Sequence, residues 1–180
     1  MSELNQFNHF RSQKLNVNRV AMLSVMIAFQ IILKRFSFGT NWFQISFVFL
    51  AIFLTGKWFG PLWSAIGCGI SDVLGAILNG IAFFPGFTLS TMVTGWIEGV
   101  FFFRRPVSWP RLIISQVLVV FLVDALMNTT WLVMMYGMNF KVALLTRLPK
   151  EIIIAPVWIV LLHWLGNLRG IKLLTSRYFR

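Results

Sequence analysis

Charged residues are scarce in this sequence, and those present stand at or inside long apolar runs. The chain of 180 residues is 58% hydrophobic and only 12% charged, with a mean hydropathy of +0.78. A water-soluble domain carries charge on about a quarter of its residues, so this composition cannot supply a soluble surface. It is typical of a polytopic membrane protein, for which the bilayer replaces water as the solvent.

The apolar runs predict six membrane-crossing helices, because each crossing needs about 20 residues. Breaks rich in glycine, proline and asparagine separate the runs. The predicted helices are 19–36, 43–56, 58–80, 86–103, 111–137 and 149–168. We therefore predict an all-α membrane protein, a compact bundle of six transmembrane helices. Residues 1–18 are predicted to form a cytoplasmic N-terminal tail, and residues 19–180 a single membrane domain that ends in a short basic tail.

Lysine and arginine predict the orientation of the bundle. An even number of crossings puts both termini on one side, and the positive-inside rule favours the cytoplasm for that side. Of the 16 lysines and arginines, 11 then lie on the inner side. The outer five are Lys34, Arg35, Lys141, Arg147 and Lys150. All of these except Lys141 cluster at predicted helix ends, where they either bind an anion near a cavity mouth or snorkel to lipid phosphates.

Acidic residues also lie inside or beside the apolar runs. They are Asp72, Glu98, Asp124 and Glu151. An unpaired charge in such a run costs at least about 2.5 kcal/mol, so each must face the bundle or a cavity. Glu98 is within reach of Arg104 or Arg105, which predicts a structural role. For Asp72 and Asp124, a buried paired or protonated group and a ligand contact both stay open.

Small residues recur at helical spacing in three of the predicted helices. Such stripes allow close contact between helices in lipid. The stripes are Gly67, Ser71 and Gly75, then Gly95 and Gly99, and in the first helix Ala21, Ser24 and Ala28. The stripe in the first helix either docks another membrane protein or packs against a helix of the same chain.

The sequence has no motif for catalysis or metal binding. It has neither a complete phosphate-binding loop nor a G-x-S-x-G nucleophile motif, and its two histidines, His9 and His163, are isolated. We therefore predict no enzymatic activity, and no cofactor or metal in this chain. The net charge of +11 is spread over the flanks of the apolar runs, which favours the lipid bilayer over nucleic acid as a partner.

Two segments resemble the substrate-binding S components of energy-coupling factor (ECF) vitamin transporters. The first comprises Gly60-Pro61, Gly67, Ser71-Asp72, Gly75, Phe83-Phe84-Pro85-Gly86-Phe87-Thr88-Leu89-Ser90 and Gly95. The second comprises Asn128-Thr129-Thr130-Trp131-Leu132, Tyr136-Gly137, Leu144-Leu145, Arg147-Leu148-Pro149-Lys150 and Pro156. The long run from Phe83 to Ser90, together with R-x-P-K, is most similar to the folate-specific members.

The resemblance implies a multi-pass protein of the plasma membrane of a prokaryote. It implies high-affinity capture of a vitamin from outside, in a cavity capped by the loop after the first helix. Delivery inward would require a transmembrane coupling subunit and two ATPase subunits, which use the ATP. The stripe of Ala21, Ser24 and Ala28 matches the docking surface of the family, although it is not a clean A-x-x-x-A.

Folate has chemistry that suits the candidate residues. Its glutamate tail carries two carboxylates, and the cations that would bind them are Lys34, Arg35, Arg147 and Lys150. The edge of its pterin ring needs a carboxylate or an amide, for which we expect Asp72 first and Asn128 second. The aromatic residues expected to stack on it are Phe84, Phe87 and Trp131, with ordinary packing as the alternative for each. Thr88 either contacts the ligand or bonds to the backbone of its own helix.

Three alternative functions stay open at this point. The first is an S component for another vitamin, such as pantothenate, pyridoxine or a hydroxymethylpyrimidine. The second is a membrane scaffold protein without a ligand. The third and least favoured is an intramembrane enzyme built on Asp72 and Asp124.

Overall fold

The computed structural model describes residues 16–36, 38–40, 43–80, 83–137 and 139–178, and this part of the chain is helical apart from one short hairpin. The helices are α1 (Val17–Arg35), α2 (Val48–Phe59), α3 (Pro61–Asn79), α4 (Pro85–Phe102), α5 (Trp109–Leu118), α6 (Thr129–Tyr136), α7 (Phe140–Asn167) and α8 (Arg169–Tyr178). A π-helical segment, Val119–Asn128, connects α5 to α6 directly. Strands β1 (Phe38–Thr40) and β2 (Phe43–Ile45) pair antiparallel, with Phe38 opposite Ile45.

Several helices have the length and the surface of membrane helices. Among the described residues, four stretches are long and apolar enough to cross a membrane: Val17–Arg35, Pro61–Asn79, Trp109–Tyr136 and Phe140–Asn167. Helix α2 is a shorter apolar helix. Large hydrophobic side chains remain exposed on the outside, such as Val25 at 66% and Ile153 at 72%. These faces suit contact with lipid, so the structure agrees with a helical membrane protein.

Glycines let α4 approach its neighbours closely. A Cβ atom at Gly99 would lie 2.4 Å from the Cα of Pro61, and one at Gly95 would lie 2.9 Å from the carbonyl oxygen of Ser64. On α2, a Cβ atom at Gly56 would lie 2.8 Å from the backbone nitrogen of Gly99. The predicted packing role of the pair Gly95 and Gly99 is therefore confirmed.

The largest apolar cluster lies where α2 meets α4, α5 and α7. Its fully buried members include Phe53, Phe59, Phe102, Leu112 and Leu162. Phe53 and Phe102 pack edge to face, with ring centroids 4.9 Å apart. Phe59, Phe102 and Leu162 come from the C-terminal halves of α2, α4 and α7, and Leu112 comes from the start of α5, so apolar packing is extensive at the end of the bundle where α2, α4 and α7 finish.

The start of the second helix was predicted wrongly. The prediction placed a helix from residue 43, but β2 occupies Phe43–Ile45 and α2 begins only at Val48. The hairpin satisfies backbone groups between its two strands, and aromatic and β-branched residues favour such strands. A hydrophobic run this short does not distinguish a strand from a helix by its periodicity.

The start of the last long helix was also predicted wrongly. Helix α7 begins at Phe140, nine residues before the predicted start, and contains Pro149 and Pro156 in its interior. Asn139 is the N-cap of the helix, because its side chain accepts a hydrogen bond from the backbone N–H of Lys141 at 3.0 Å. Proline often marks the boundary of a helix, but membrane helices tolerate it in their interior.

The basic C-terminal segment contains the helix α8. Trp58 on α2 donates a hydrogen bond through Nε1 to Oγ1 of Thr175 at 2.9 Å, and Ile171 is buried. Helix α8 is therefore anchored to the end of α2 and closes one end of the bundle.

Candidate ligand-binding site

Asp72 lies where α1, α3 and α4 meet, and other side chains bond to both of its carboxylate oxygens. Nζ of Lys34 is 2.5 Å from Oδ1, and Thr88 donates through Oγ1 to Oδ2 at 2.7 Å. The side chains of Lys34 and Asp72 are 21% and 17% exposed. We call these three residues the Asp72 cluster. The structure therefore brings together three of the residues that the sequence singled out for ligand binding.

Gln30 holds the helices together beside this cluster. Its fully buried side chain donates through Nε2 to Oγ1 of Thr55 at 3.0 Å and accepts from Oγ of Ser71 at 2.7 Å. These bonds join α1, α2 and α3, and Ser71 immediately precedes Asp72. The sequence analysis missed Gln30, although a lone glutamine within an apolar helix is a signal for such a bond.

The three predicted aromatic residues also lie together, where the start of α4 meets α6. The ring of Phe84 is 5.8 Å from that of Phe87 and 6.0 Å from that of Trp131, measured between centroids. Trp131 donates a hydrogen bond through Nε1 to Oγ of Ser90 at 3.0 Å. We call Phe84, Phe87 and Trp131 the aromatic cluster.

Gly86 is the residue that allows these rings to meet. A Cβ atom there would lie 2.5 Å from Cε1 of Phe84 and 2.5 Å from Cδ2 of Trp131. Any side chain at this position would therefore displace both rings.

A second polar cluster forms between the π-helical segment and α7. We call it the Arg147 cluster, and its members are Asp124, Asn128, Arg147, Lys150 and Glu151. Asn128 donates through Nδ2 to Oδ1 of Asp124 at 3.0 Å, and Nζ of Lys150 is 3.3 Å from Oε1 of Glu151. Arg147, Lys150 and Glu151 all lie close enough to Asp124 to interact with it electrostatically.

Three atoms of the Arg147 cluster are buried without a hydrogen-bond partner among the described residues. They are Oδ1 of Asn128, Nη1 of Arg147 and Oε2 of Glu151. A buried polar group without a partner costs about 1–3 kcal/mol, so native proteins rarely retain three in one place. Two acceptors and one donor here are available to bond with a polar ligand.

The aromatic cluster adjoins both polar clusters along the chain. Thr88 of the Asp72 cluster directly follows Phe87 on α4, and Asn128 of the Arg147 cluster precedes Trp131 by one helical turn. The aromatic cluster is therefore linked to the Asp72 cluster through α4 and to the Arg147 cluster through the junction of the π-helical segment with α6. Arg35 is exposed at the end of α1, beside Lys34.

Glu98 has a different partner from the predicted one. The buried carboxylate accepts a hydrogen bond through Oε1 from Nε2 of Gln116 at 2.7 Å, which ties α4 to α5. Arg104 and Arg105 follow the end of α4 and line a separate cavity. Glu98 therefore has the expected structural role, but its partner is the amide of Gln116 and not an arginine.

The small-residue stripe of α1 faces away from the rest of the described chain. Ala21, Ser24 and Ala28 are all exposed, whereas Leu23 and Met26 on the other face are buried. The stripe of α3 behaves differently, because a Cβ atom at Gly67 would lie 3.3 Å from Cδ1 of Leu23 on α1. The stripe on α3 serves internal packing, and the stripe on α1 is not covered by any described part of the chain.

These features define a helical membrane protein with a polar and aromatic site between its helices, an arrangement suited to binding a small solute. Residues 18–166 match the family described as ECF transporter, substrate-specific component. The chain belongs to this family, and the resemblance found in the sequence is confirmed.

Named relatives are folate transporters. The folate transporter FolT of Leuconostoc mesenteroides is 34% identical over 173 residues, which cover 92% of this chain and 94% of that protein. The folate transporter FolT of Clostridium novyi is 39% identical over 150 residues, which cover 82% of this chain and 87% of that protein. The crystal structure of FolT bound with folic acid matches this fold with a TM-score of 0.80 at 33% identity, covering 84% of this chain and 94% of that one.

Proposed function

We propose that this chain is a folate-binding S component, which captures the vitamin outside the cell and delivers it inward with an ATP-driven coupling module. The observation that carries the proposal is the aromatic cluster together with the two polar clusters that adjoin it on α4 and around α6. Folate combines the matching chemistry of a polar pterin, an aromatic linker and a charged glutamate. The similarity to folate transporters over most of the chain supports this ligand above other vitamins.

The pterin ring fits the Arg147 cluster best. One edge of the pterin offers two N–H donors beside a carbonyl acceptor, and the cluster has two acceptors and one donor without partners in the described chain. Arg147 lies seven residues inside α7, which corresponds to about 10 Å of helix. We therefore assign Asn128, Arg147 and Glu151 to the pterin edge.

The glutamate tail fits the cations at the end of α1. Arg35 is exposed there, and a guanidinium binds a carboxylate with two parallel hydrogen bonds. Lys34 is next to it, and its side chain pairs with Asp72, which also accepts a hydrogen bond from Thr88. In this assignment Asp72 positions Lys34, whereas the sequence analysis expected Asp72 to bind the pterin and Arg147 and Lys150 to bind the tail.

The aromatic cluster would hold the middle of the ligand. Trp131 is fixed by its bond to Ser90, so its ring offers a preorganised stacking surface. Phe84 and Phe87 line the same space from α4.

We also propose six crossings with both termini in the cytoplasm of a prokaryote. The crossings would be α1, α2, α3, α4, the continuous stretch Trp109–Tyr136, and α7. The excess of lysine and arginine on the inner side and the bacterial origin of the relatives support this arrangement. The coupling subunit would dock on Ala21, Ser24 and Ala28, and two ATPase subunits would complete the transporter.

Isothermal titration of the purified chain with folate tests the proposal, with pantothenate, thiamine and riboflavin as controls. We expect tight, saturable binding of folate alone. Binding of another vitamin in its place would overturn the ligand assignment within the same family. Absence of binding to all four would favour a scaffold protein.

A further inference from the structure

A basic cavity lies at the opposite end of the bundle from the proposed folate site. Its volume is about 550 Å³, and it opens between the end of α2, the turn after α4, and the junction of α7 with α8. Along α7, Arg147 of the folate site and Gly166 of the cavity are 19 residues apart, or about 28 Å of helix. The cavity is therefore separate from the folate site.

Among the described residues, four cationic side chains and no acidic one line this cavity. They are Lys57, Arg104, Arg105 and Lys172. Lys57 is only 8% exposed, and its Nζ donates to the carbonyl oxygen of Arg105 at 3.2 Å. The ion pairs found among the described residues involve Lys34 and Lys150, so none of them neutralises this cavity.

The rest of the lining adds neutral polar groups and a shaped wall. Asn167, Thr175 and Ser176 contribute an amide and two hydroxyls. Gly166 allows the turn after α4 to pack against α7, because a Cβ atom there would lie 2.7 Å from Cγ2 of Val107.

We propose that this cavity binds a phosphate-bearing anion, either the headgroup of an anionic phospholipid or a soluble phosphate compound. Four like charges around one space repel each other unless a counter-ion joins them, and this repulsion is strongest for a lysine as buried as Lys57. Guanidinium groups bind phosphate oxygens in pairs, and basic pockets between membrane helices hold phospholipid headgroups. The bound anion would join α2, the turn after α4 and α8, and so hold α8 against the bundle.

Native mass spectrometry of the purified full chain, titrated with phosphatidylglycerol or phosphatidylcholine, tests the proposal. The variant R104Q/K172Q removes two lining charges from exposed positions. The control R169Q/R177Q removes two charges from exposed positions on α8 that are not part of the lining. We expect the cavity variant to bind phosphatidylglycerol at least about tenfold more weakly, with little change in the control and little binding of phosphatidylcholine.

A competition with inorganic phosphate distinguishes the two sources of the anion. If millimolar phosphate displaces phosphatidylglycerol from the unmodified chain, the cavity recognises a phosphate group that soluble compounds also carry. If phosphate has no effect while R104Q/K172Q still weakens lipid binding, the cavity is a lipid headgroup site. The proposal would be overturned if R104Q/K172Q and R169Q/R177Q lost phosphatidylglycerol affinity equally. It would also be overturned if the unmodified chain bound neither phosphatidylglycerol nor inorganic phosphate. Thermal unfolding of each variant checks the fold without reference to folate.

Discussion

The two ends of the bundle carry their charges in different ways. At the end that holds the proposed folate site, Lys34 pairs with Asp72 and Lys150 pairs with Glu151. At the other end, lysines and arginines line a cavity that has no acidic side chain among the described residues. Paired charges and a few unpartnered atoms make a site that discriminates by hydrogen-bond pattern, whereas unpaired cations make a site that selects by charge.

The comparison also separates binding from assembly. The residues proposed to bind folate lie in one half of the molecule, and the exposed stripe of α1 begins in the other half. A change in the proposed folate-binding residues should therefore alter folate affinity and leave assembly with the coupling subunit intact. A change in the stripe of α1 should alter assembly and leave folate affinity intact.

The largest expected effect is complete loss of folate uptake by the variant Ala21→Trp in cells that contain the whole transporter. The indole would fill the exposed small-residue stripe and block close helix contact with a coupling subunit. The matched control is Ile153→Trp, because that side chain is 72% exposed on a different helix. Radiolabelled folate uptake measures the effect, and titration in detergent should show unchanged folate affinity in both variants. Weaker binding by Ala21→Trp would mean that the stripe packs inside the chain.

The next effect concerns Arg147, whose Nη1 atom is buried without a partner among the described residues. The variant Arg147→Gln should bind folate about 100-fold more weakly, because a charge-assisted hydrogen bond contributes about 1.5–3 kcal/mol. Isothermal titration measures the change. Lys141→Gln is the matched control, since Lys141 is exposed nearer the start of the same helix and should retain full affinity. Equal affinities for the two variants would contradict the assignment of Arg147 to the pterin.

A smaller effect is expected at Gly86. In the variant Gly86→Ala, the added methyl group would push against Phe84 and Trp131, so folate affinity should fall roughly tenfold, at the low end of the cost of overpacking. Gly170→Ala is the control, because no atom of the described residues lies within 4 Å of a Cβ atom at that position. Titration with folate compares them, and the change in tryptophan fluorescence reports the displaced ring. An unchanged affinity would show that the aromatic cluster does not contact the ligand.

Much of the helical framework could be predicted from the sequence. Helices α3 and α4 begin and end within three residues of the prediction, because Pro61, Gly80 and Pro85 mark their boundaries. The start of α7 could not be predicted in this way, since Pro149 lies within the helix and the start depends on the cap at Asn139. The π-helical segment also had no sequence signal, because its residues are as apolar as those of an α-helix.

The candidate site was predictable by residue type but not by pairing. The sequence indicated that Asp72 and Asp124 face the bundle or a cavity, since an unpaired charge is costly in lipid. It did not indicate that Lys34 bonds to Asp72 or that Lys150 bonds to Glu151. Pairing depends on how the helices are rotated and packed against one another, so a single sequence does not specify it.

The smallest expected effect is the response of folate affinity to salt, and it gives the sharpest contrast between the two ends. Raising the salt concentration from 50 to 300 mM should weaken folate binding by no more than about threefold, because Lys34 and Lys150 are partly buried and already paired, so that salt acts mainly on the exposed Arg35. Phosphatidylglycerol binding in the basic cavity should weaken more steeply, since its cations have no acidic partner in the lining. Folate titration and lipid titration of the same preparation measure how steeply each affinity falls with salt concentration. Parallel slopes would mean that both ligands are held mainly by net charge, and the difference between the paired and the unpaired end would then have no functional consequence.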